Sequence, residues 1–556
     1  MRRKFLARTA TSTCLVATVF LASCGDDDAD TETDAGDTDT GTGTGTDDQV
    51  DPSTYCEELG LPIRPFDDGG ADSKALYALA TDFTVPTEGA SFTLSARWSG
   101  CDNILVIQDR PKQNQSGFGY DIWQKPEDVD RLFARLPRNT EILFVSYRTD
   151  ENEILDALAG IRDNVSDTMA DMDEADRDWW SRRVHYVNQP AGELPGWLGS
   201  IMLSPGWGVG IDRFQRIRYI GSYADPTRYN SQVGWFGPNL SMAANEAIHY
   251  NAEAEREAAL AAEDALVVPI FGGDVATETV TSDVELPTAV EMEDFDTLEF
   301  DLTLACDGEG EFGVCPAWDY IVYLYLCDAE DPEVCELEIG RWITTYHREG
   351  RWVHDASGLL PYLAGGGLRR FAFYTSQPYE LHLDLRLSNA GKAAAPSETI
   401  PLWHQAPTFD EVYNDNFQPQ TVFVPEDAIK VELATVITGH GMSSPGNCAE
   451  FCNTDHHFLV NGTDNVRDFP GASSLYGCQD QIADGTVPNQ YGTWWYGRGG
   501  WCPGKQVPIV MLDVTDQVLP GADNLFEYEG YYMGMLYTNG TDWRHIDVTA
   551  WLVISR

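Results

Sequence analysis

The sequence predicts a multidomain exported protein in which one α/β domain is followed by two all-β antiparallel sandwiches. Three observations carry that prediction. Before residue 268, apolar runs of strand length alternate with a segment of helical period. After residue 269, short strands with period-two alternation succeed one another between Gly, Pro and Asp turns, and helical runs are scarce. A length of 556 residues with 11% aromatics is enough for several buried cores.

The first element is an address. Arg2, Arg3 and Lys4 precede an apolar run from Thr13 to Ala22 that is too short to span a bilayer and reads as a signal segment. The run ends in Leu21-Ala22-Ser23-Cys24, which resembles a bacterial lipobox. That resemblance implies a signal peptide over 1–23 and a lipid on Cys24; the alternative is an ordinary signal peptide with an incidental cysteine. Residues 24–54 are mostly Asp, Thr and Gly, the composition of a disordered acidic tether. Gly25 rather than Asp after Cys24 points to an outer-membrane or cell-surface destination. The formal charge is −53. Loss of Arg2, Arg3, Lys4 and Arg8 with the signal leaves 32 basic residues against 89 acidic ones, a net −57. Such a chain repels polynucleotides and anionic headgroups, which excludes nucleic-acid partners and confines membrane contact to the lipid.

Cysteine usage agrees with export. Of twelve cysteines, Cys14 leaves with the signal and Cys24 is the lipidation site, so ten remain. They fall into close couples, read as the disulfides Cys306–Cys315, Cys327–Cys335, Cys448–Cys452 and Cys478–Cys502, with Cys56–Cys101 left over. Bridges of this kind each contribute about 2–4 kcal/mol or less. Their spacings are not those of zinc sites, and no metal or cofactor is expected.

Within 55–268, strands are expected at 103–108 and 141–147, a helix at 150–165, a hairpin over 207–223 turning at Asp212–Gln215, and an Ala/Glu-rich helix at 243–266. The order of these pieces, with Asp82-Phe83-Thr84-Val85-Pro86 before them, resembles a thioredoxin-like domain. Asp109-Arg110-Pro111-Lys112 follows the 103–108 strand where a Cys-x-x-Cys would sit. No dithiol can cycle there, so the domain is expected to be structural or binding. Strands are then expected at 298–304, 320–326, 340–346, 370–374 and 381–387, and again at 431–438, 457–461, 507–513, 525–536 and 545–554. With Pro, Asn and Asp clustered at 390–425, the sandwich domains are set at 269–405 and 406–556.

Three constellations carry chemistry. Cys315-Pro316-Ala317-Trp318-Asp319 places a carboxylate just before a strand, beside an expected disulfide. Cys448-Ala449-Glu450-Phe451-Cys452 holds a second acid in a loop closed by its own bridge. Arg498-Gly499-Gly500-Trp501-Cys502-Pro503-Gly504 adds a guanidinium and an indole from a glycine-rich loop. Two carboxylates on stapled loops can position water and move protons, and unequal burial can separate their pKa values. An arginine forks onto oxygen acceptors, and indoles offer flat faces to sugars.

With Glu338 to Tyr346 and Asn447 to Cys452 followed by His456, these pieces stand in the order of a known family: residues from about 285 to 556 resemble the peptide-N-glycosidase F family. The resemblance implies two jelly-roll domains side by side, an active site between them and no metal. It implies hydrolysis of the β-aspartylglucosaminyl amide of N-glycoproteins or glycopeptides by a chain expected to be monomeric. Asp319 matches the principal catalytic aspartate and Glu450 the essential glutamate. Arg498, Trp501, Trp318 and Phe451 fall at substrate-binding positions. The sequence departs from the pattern in places. Thr375-Ser376-Gln377-Pro378 lacks the family's third acid and its tryptophan, with Glu380 displaced by several residues, and Tyr320 and Phe451 replace an arginine and a tryptophan. Two alternatives stay open: a non-catalytic glycan- or glycopeptide-binding lipoprotein, and a copper monooxygenase on paired jelly rolls. The latter is suggested only by His440-Gly441-Met442 and His456-His457, one of which should face the core.

Overall fold

The computed structural model describes residues 52–109, 121–204, 206–232, 234–308, 310–538 and 544–556. The expected signal peptide, Cys24, the tether up to residue 51 and the Arg110-Pro111-Lys112 run lie outside them. No helix among the described residues is long and apolar enough to cross a membrane.

The N-terminal part is a seven-stranded mixed sheet in the order 90–93, 84–87, 184–187, 140–145, 103–108, 208–211, 217–219. Strands Asn103–Gln108 and Thr140–Val145 run parallel and are buried along their whole length. The apolar runs within them, 104–107 and 142–145, follow from being covered on both faces. Two separate cores cover those faces. The helix expected at 150–165 spans Glu151–Ala170, and Asp150 caps it by accepting from the amides of Asn152 and Glu153. The hairpin at 208–219 forms as expected, and the closing helix spans Ala243–Ala262. A second hairpin, Ala224–Asn230 with Trp235–Pro238, was not anticipated.

The rest is two sandwiches. In the first, one sheet orders Leu266–Ala276, Tyr379–Ser388, Thr297–Ala305 and Gly350–Asp355. The facing sheet orders Thr279–Thr288, Gly366–Tyr374, Ile321–Leu326 and Leu337–Ile343. Counted along the chain, the eight strands read 1-8-3-6 and 2-7-4-5. The second sandwich repeats that order. Pro396–Gln405, His545–Ser555, Lys430–His440 and Val510–Asp513 form one sheet; Gln420–Val424, Ala522–Tyr532, Thr454–Val460 and Thr463–Asp468 form the other. Both are jelly rolls. Period-two alternation has its direct cause here: Leu298, Phe300, Leu302 and Leu304 point inward while their neighbours are half-buried. All five expected disulfides are present.

The expected boundary at residue 405 needs correction. Pro396–Gln405 pairs with His545–Ser555, so the second sandwich begins about ten residues earlier than the 406 read from the sequence. Pro396 and Pro401 hid the strand, because they are tolerated only on its edge position and at its register shifts. The first sandwich likewise starts at Leu266 rather than 269. One short strand crosses between domains: Lys505–Gln506 pairs with Trp342–Ile343 of the first sandwich.

Arg341 locks the sandwiches together. It is fully buried on strand Leu337–Ile343, forks onto Glu338 at 2.8 Å through Nε and Nη2, and donates to Asp547 at 2.8 Å and to Thr438 and Thr549 of the second sandwich. The bidentate partner, Glu338, is held well below the usual carboxylate range, burial being outweighed by the guanidinium. Asp547 is pushed up, chiefly by burial. Replacing Arg341 by Met strands two buried acids and should cost about 3–5 kcal/mol at neutral pH. Both acids then bind protons more tightly folded than unfolded, so the deficit should shrink as the pH falls and they neutralise. Urea unfolding of the variant at pH 8 and pH 5 measures this; an equal deficit at both would contradict it.

Candidate active site

Asp319 sits immediately before strand Ile321–Leu326, at the rim of the first sandwich. Thr344 fixes the peptide on both sides of it. The Thr344 hydroxyl accepts from the Tyr320 amide at 2.8 Å and donates to the Trp318 carbonyl at 2.9 Å. The Cys306–Cys315 bridge anchors the approach. Glu450 comes from the second sandwich, in the loop closed by Cys448–Cys452, where its Oε2 accepts from the Gly441 amide at 3.3 Å.

Arg498 joins the two acids. Its side chain is 1% exposed; Nε donates to Glu450 at 3.1 Å and Nη2 approaches Asp319 at 3.4 Å. The remaining donor capacity goes to the Tyr496 and Thr493 carbonyls and the Tyr346 hydroxyl. Glycine makes the loop possible. Gly500 has φ +92°, and a Cβ there would lie 2.2 Å from the Ile437 carbonyl oxygen. The loop is held beyond Arg498 by Cys478–Cys502, by Trp352 Nε1 donating to the Gly504 carbonyl, and by the crossing strand at 505–506.

Burial raises the pKa of Asp319, opposed by the Arg498 charge and a hydrogen bond from Tyr346. Burial also raises Glu450; Arg498 opposes this, while the charge on Asp319 adds to it. Two acids around one guanidinium, each favouring its proton more than in water, can hold, accept and return protons near a reacting amide or ester.

The six residues singled out from the sequence converge, with altered roles. Trp318 is 59% exposed beside Asp319 and meets Tyr346 edge-on at 6.4 Å. Phe451 lies 5.1 Å from the Arg498 guanidinium and lines a neighbouring cavity of about 370 Å³ with Asn453, Asp455 and Tyr532. Trp501, read as a substrate-binding face, is buried. Its Nε1 donates to the Gly439 carbonyl at 2.7 Å and its ring backs Arg498 at 4.8 Å. Arg498, read as a substrate contact, has its donors engaged within the protein and therefore orients the acids. Tyr346, Thr344 and Thr493 were missed as site residues. The first two stood in the Glu338–Tyr346 run that carried the resemblance, but only the fold shows them facing Arg498 and the Asp319 peptide.

The third-acid position holds a turn in which Thr375 Oγ1 donates to the Gln377 carbonyl, and Glu380 pairs with His382 at 3.0 Å. The histidines behind the copper reading are engaged separately. His440 is buried and stacks on Trp501 and His545, buried His456 bonds to Tyr528 and Thr454, and His457 pairs with Asp464. Among the described residues, the grouping that meets metal-ligand spacing is Cys306, Cys315 and Glu349, whose sulfurs are already joined as a disulfide.

Residues 409–553 match the family model "Peptide-N-glycosidase F, C terminal". The second sandwich is therefore similar to the C-terminal domain of peptide-N-glycosidase F. The peptide-N(4)-(N-acetyl-beta-D-glucosaminyl)asparagine amidase F of Elizabethkingia miricola is 30% identical over 115 residues, 20% of this chain. The chain thus spans only 30% of that relative's length. Among solved structures, PNGase F, a glycosylasparaginase from Flavobacterium meningosepticum, aligns at 17% identity and TM-score 0.43, over 52% of this chain and 96% of the other. PNGF-II aligns at 14% identity and TM-score 0.40, over 52% and 65%. Glu450 and Arg498 lie inside the matched peptide-N-glycosidase F domain; Asp319 reaches them from the sandwich before it.

Because the Arg498 charge lowers both acids, an Arg498→Met variant should titrate Asp319 and Glu450 at higher pH than the wild type. Carboxyl carbon NMR on Asp- and Glu-labelled protein reads this; unmoved titrations would contradict the coupling.

Proposed function

We propose that this chain is an amidase that releases N-linked glycans from asparagine, acting on glycoproteins or glycopeptides outside the cytoplasm. The observation that carries the reading is the Arg498 bridge, which brings an acid from each sandwich to one place beside exposed Trp318. The matched family domain supports the substrate class. In the reaction, Asp319 takes a proton from water as it adds to the side-chain carbonyl. The C–N bond breaks as Asp319 returns that proton to the departing nitrogen, which leaves with the sugar as a glycosylamine, and the asparagine becomes aspartate. Glu450, held 3.1 Å from Arg498, exchanges protons with Asp319 through water, so that Asp319 ends the cycle deprotonated. The proposal extends to a lipid on Cys24 as the tether to a bacterial membrane, a monomeric chain, and a thioredoxin-like N-terminal domain with a structural or binding role.

The changed third-acid region favours a second reading, a glycan-binding protein without turnover, because Thr375 to Pro378 supplies no carboxylate there. The experiment that separates the two is glycan release from a denatured N-glycoprotein. Wild type should release glycan. Asp319→Asn should lose release by at least about 100-fold, as expected for removal of a proton-transfer group, and should keep the thermal midpoint. Since Asp319 works deprotonated and its pKa is raised, release should climb with pH through a midpoint above the ordinary aspartate value. Normal release by Asp319→Asn would overturn the assignment of the base. Glycan binding without release by wild type would favour the second reading.

A further inference from the structure

The unanticipated hairpin, Ala224–Asn230 with Trp235–Pro238, leaves the α/β domain and packs on the loop that carries Arg498. Phe236 meets Trp495 edge-on at 5.1 Å, Trp495 meets Tyr496 at 5.9 Å, and Tyr496 meets Phe451 at 6.3 Å. Phe451 in turn faces the Arg498 guanidinium. A series of packed rings therefore runs from the hairpin to the acids. At the hairpin tip two rings stay open: Tyr229 is 59% exposed and Trp235 43%.

The tip is also uncharged. Residues 229–235 contain no Asp, Glu, Lys or Arg, in a chain where such residues make up 22%. The neighbouring cation, Arg228, is turned inward to Asp128, Asp225 and the Pro238 carbonyl. What remains is a pair of aromatic faces flanked by the amides of Asn230 and Gln232, the side-chain oxygen of Asn230 accepting from the Gln232 backbone N–H at 3.0 Å. The run itself offers a charged partner no counter-charge. A neutral, hydroxyl-rich ligand with apolar C–H faces fits both features.

We propose that this hairpin is a carbohydrate subsite that holds sugars of the glycan distant from the amide, with Tyr229 and Trp235 as its stacking faces. Its link to the cleft rests on the amidase reading; its ligand class does not. The test measures binding of a free, neutral, mannose-rich N-glycan oligosaccharide, which has no amide to cleave, to the full chain by calorimetry. A Tyr229→Ala/Trp235→Ala double variant should bind about tenfold more weakly or worse. Trp235→Phe alone, which keeps a ring, should retain most of the affinity, and circular dichroism checks that the variants are folded. In kinetics, the double variant should raise KM for a glycopeptide with a large glycan and leave KM for one bearing only the two core N-acetylglucosamines unchanged.

Equal oligosaccharide binding by wild type and double variant, or none by wild type, overturns the subsite. Weaker binding of an unglycosylated denatured peptide by the double variant, with oligosaccharide binding intact, makes the hairpin a protein-docking surface and also overturns it. If wild type binds oligosaccharide through the hairpin but releases no glycan, the subsite stands and the amidase reading falls.

Discussion

One buried guanidinium sets the terms for the rest of the molecule. Arg498 is almost wholly out of solvent, and a charge in that position is tolerated only when paired and fully hydrogen-bonded. Its partners come from two domains: Asp319 from the first sandwich and Glu450 from the second. Neither sandwich can complete the site alone. The crossing strand at 505–506, the Arg341 cluster and the Cys478–Cys502 bridge all fix the two sandwiches, or the loop between them, at the spacing this arginine needs.

The α/β domain takes part in the same constraint. Arg348 pairs with Glu246 of the helix Ala243–Ala262 at 2.9 Å and with Glu311 of the first sandwich at 3.0 Å, and it donates to the Tyr219 and Pro488 carbonyls. Asn489 reaches Glu246, and Gln490 accepts from the Tyr346 amide. The segment 488–496, whose Thr493 and Tyr496 carbonyls satisfy Arg498, is thus gripped from both sides. A domain that carries no redox pair in its sequence still stiffens the frame around the acids. That stiffness matters chemically, since burial of both carboxyls raises their proton affinity only while water is kept from them.

Much of this was legible in the sequence because it is local. Alternation in 298–304 and 381–387 gives a half-buried strand at short range, and the cysteines four to 24 residues apart pair with their neighbours. The acids were legible because cysteines framed them. What escaped reading depends on contacts between distant segments. Pro396–Gln405 carries two prolines and becomes a strand only by lying beside His545–Ser555. Trp501 looked like a sugar platform because an indole in a glycine-rich loop is exposed by default; here the loop folds over strand Lys430–His440 and buries it. Arg498 looked like a substrate ligand because three of its five acceptors, Asp319, Tyr346 and Glu450, come from distant parts of the chain. Tyr346 is separated from Arg498 by 152 residues of chain.

The proposed function requires the acids bridged by Arg498 to hydrolyse the bond between an asparagine side chain and its glycan. Incubating the chain with an N-glycopeptide in heavy-oxygen water, followed by mass spectrometry of the peptide product, tests it most directly. The expected product is a peptide in which asparagine has become aspartate carrying a single heavy oxygen, with the glycan leaving whole. An unchanged glycopeptide, or a peptide that keeps its asparagine with a sugar stub, would contradict it.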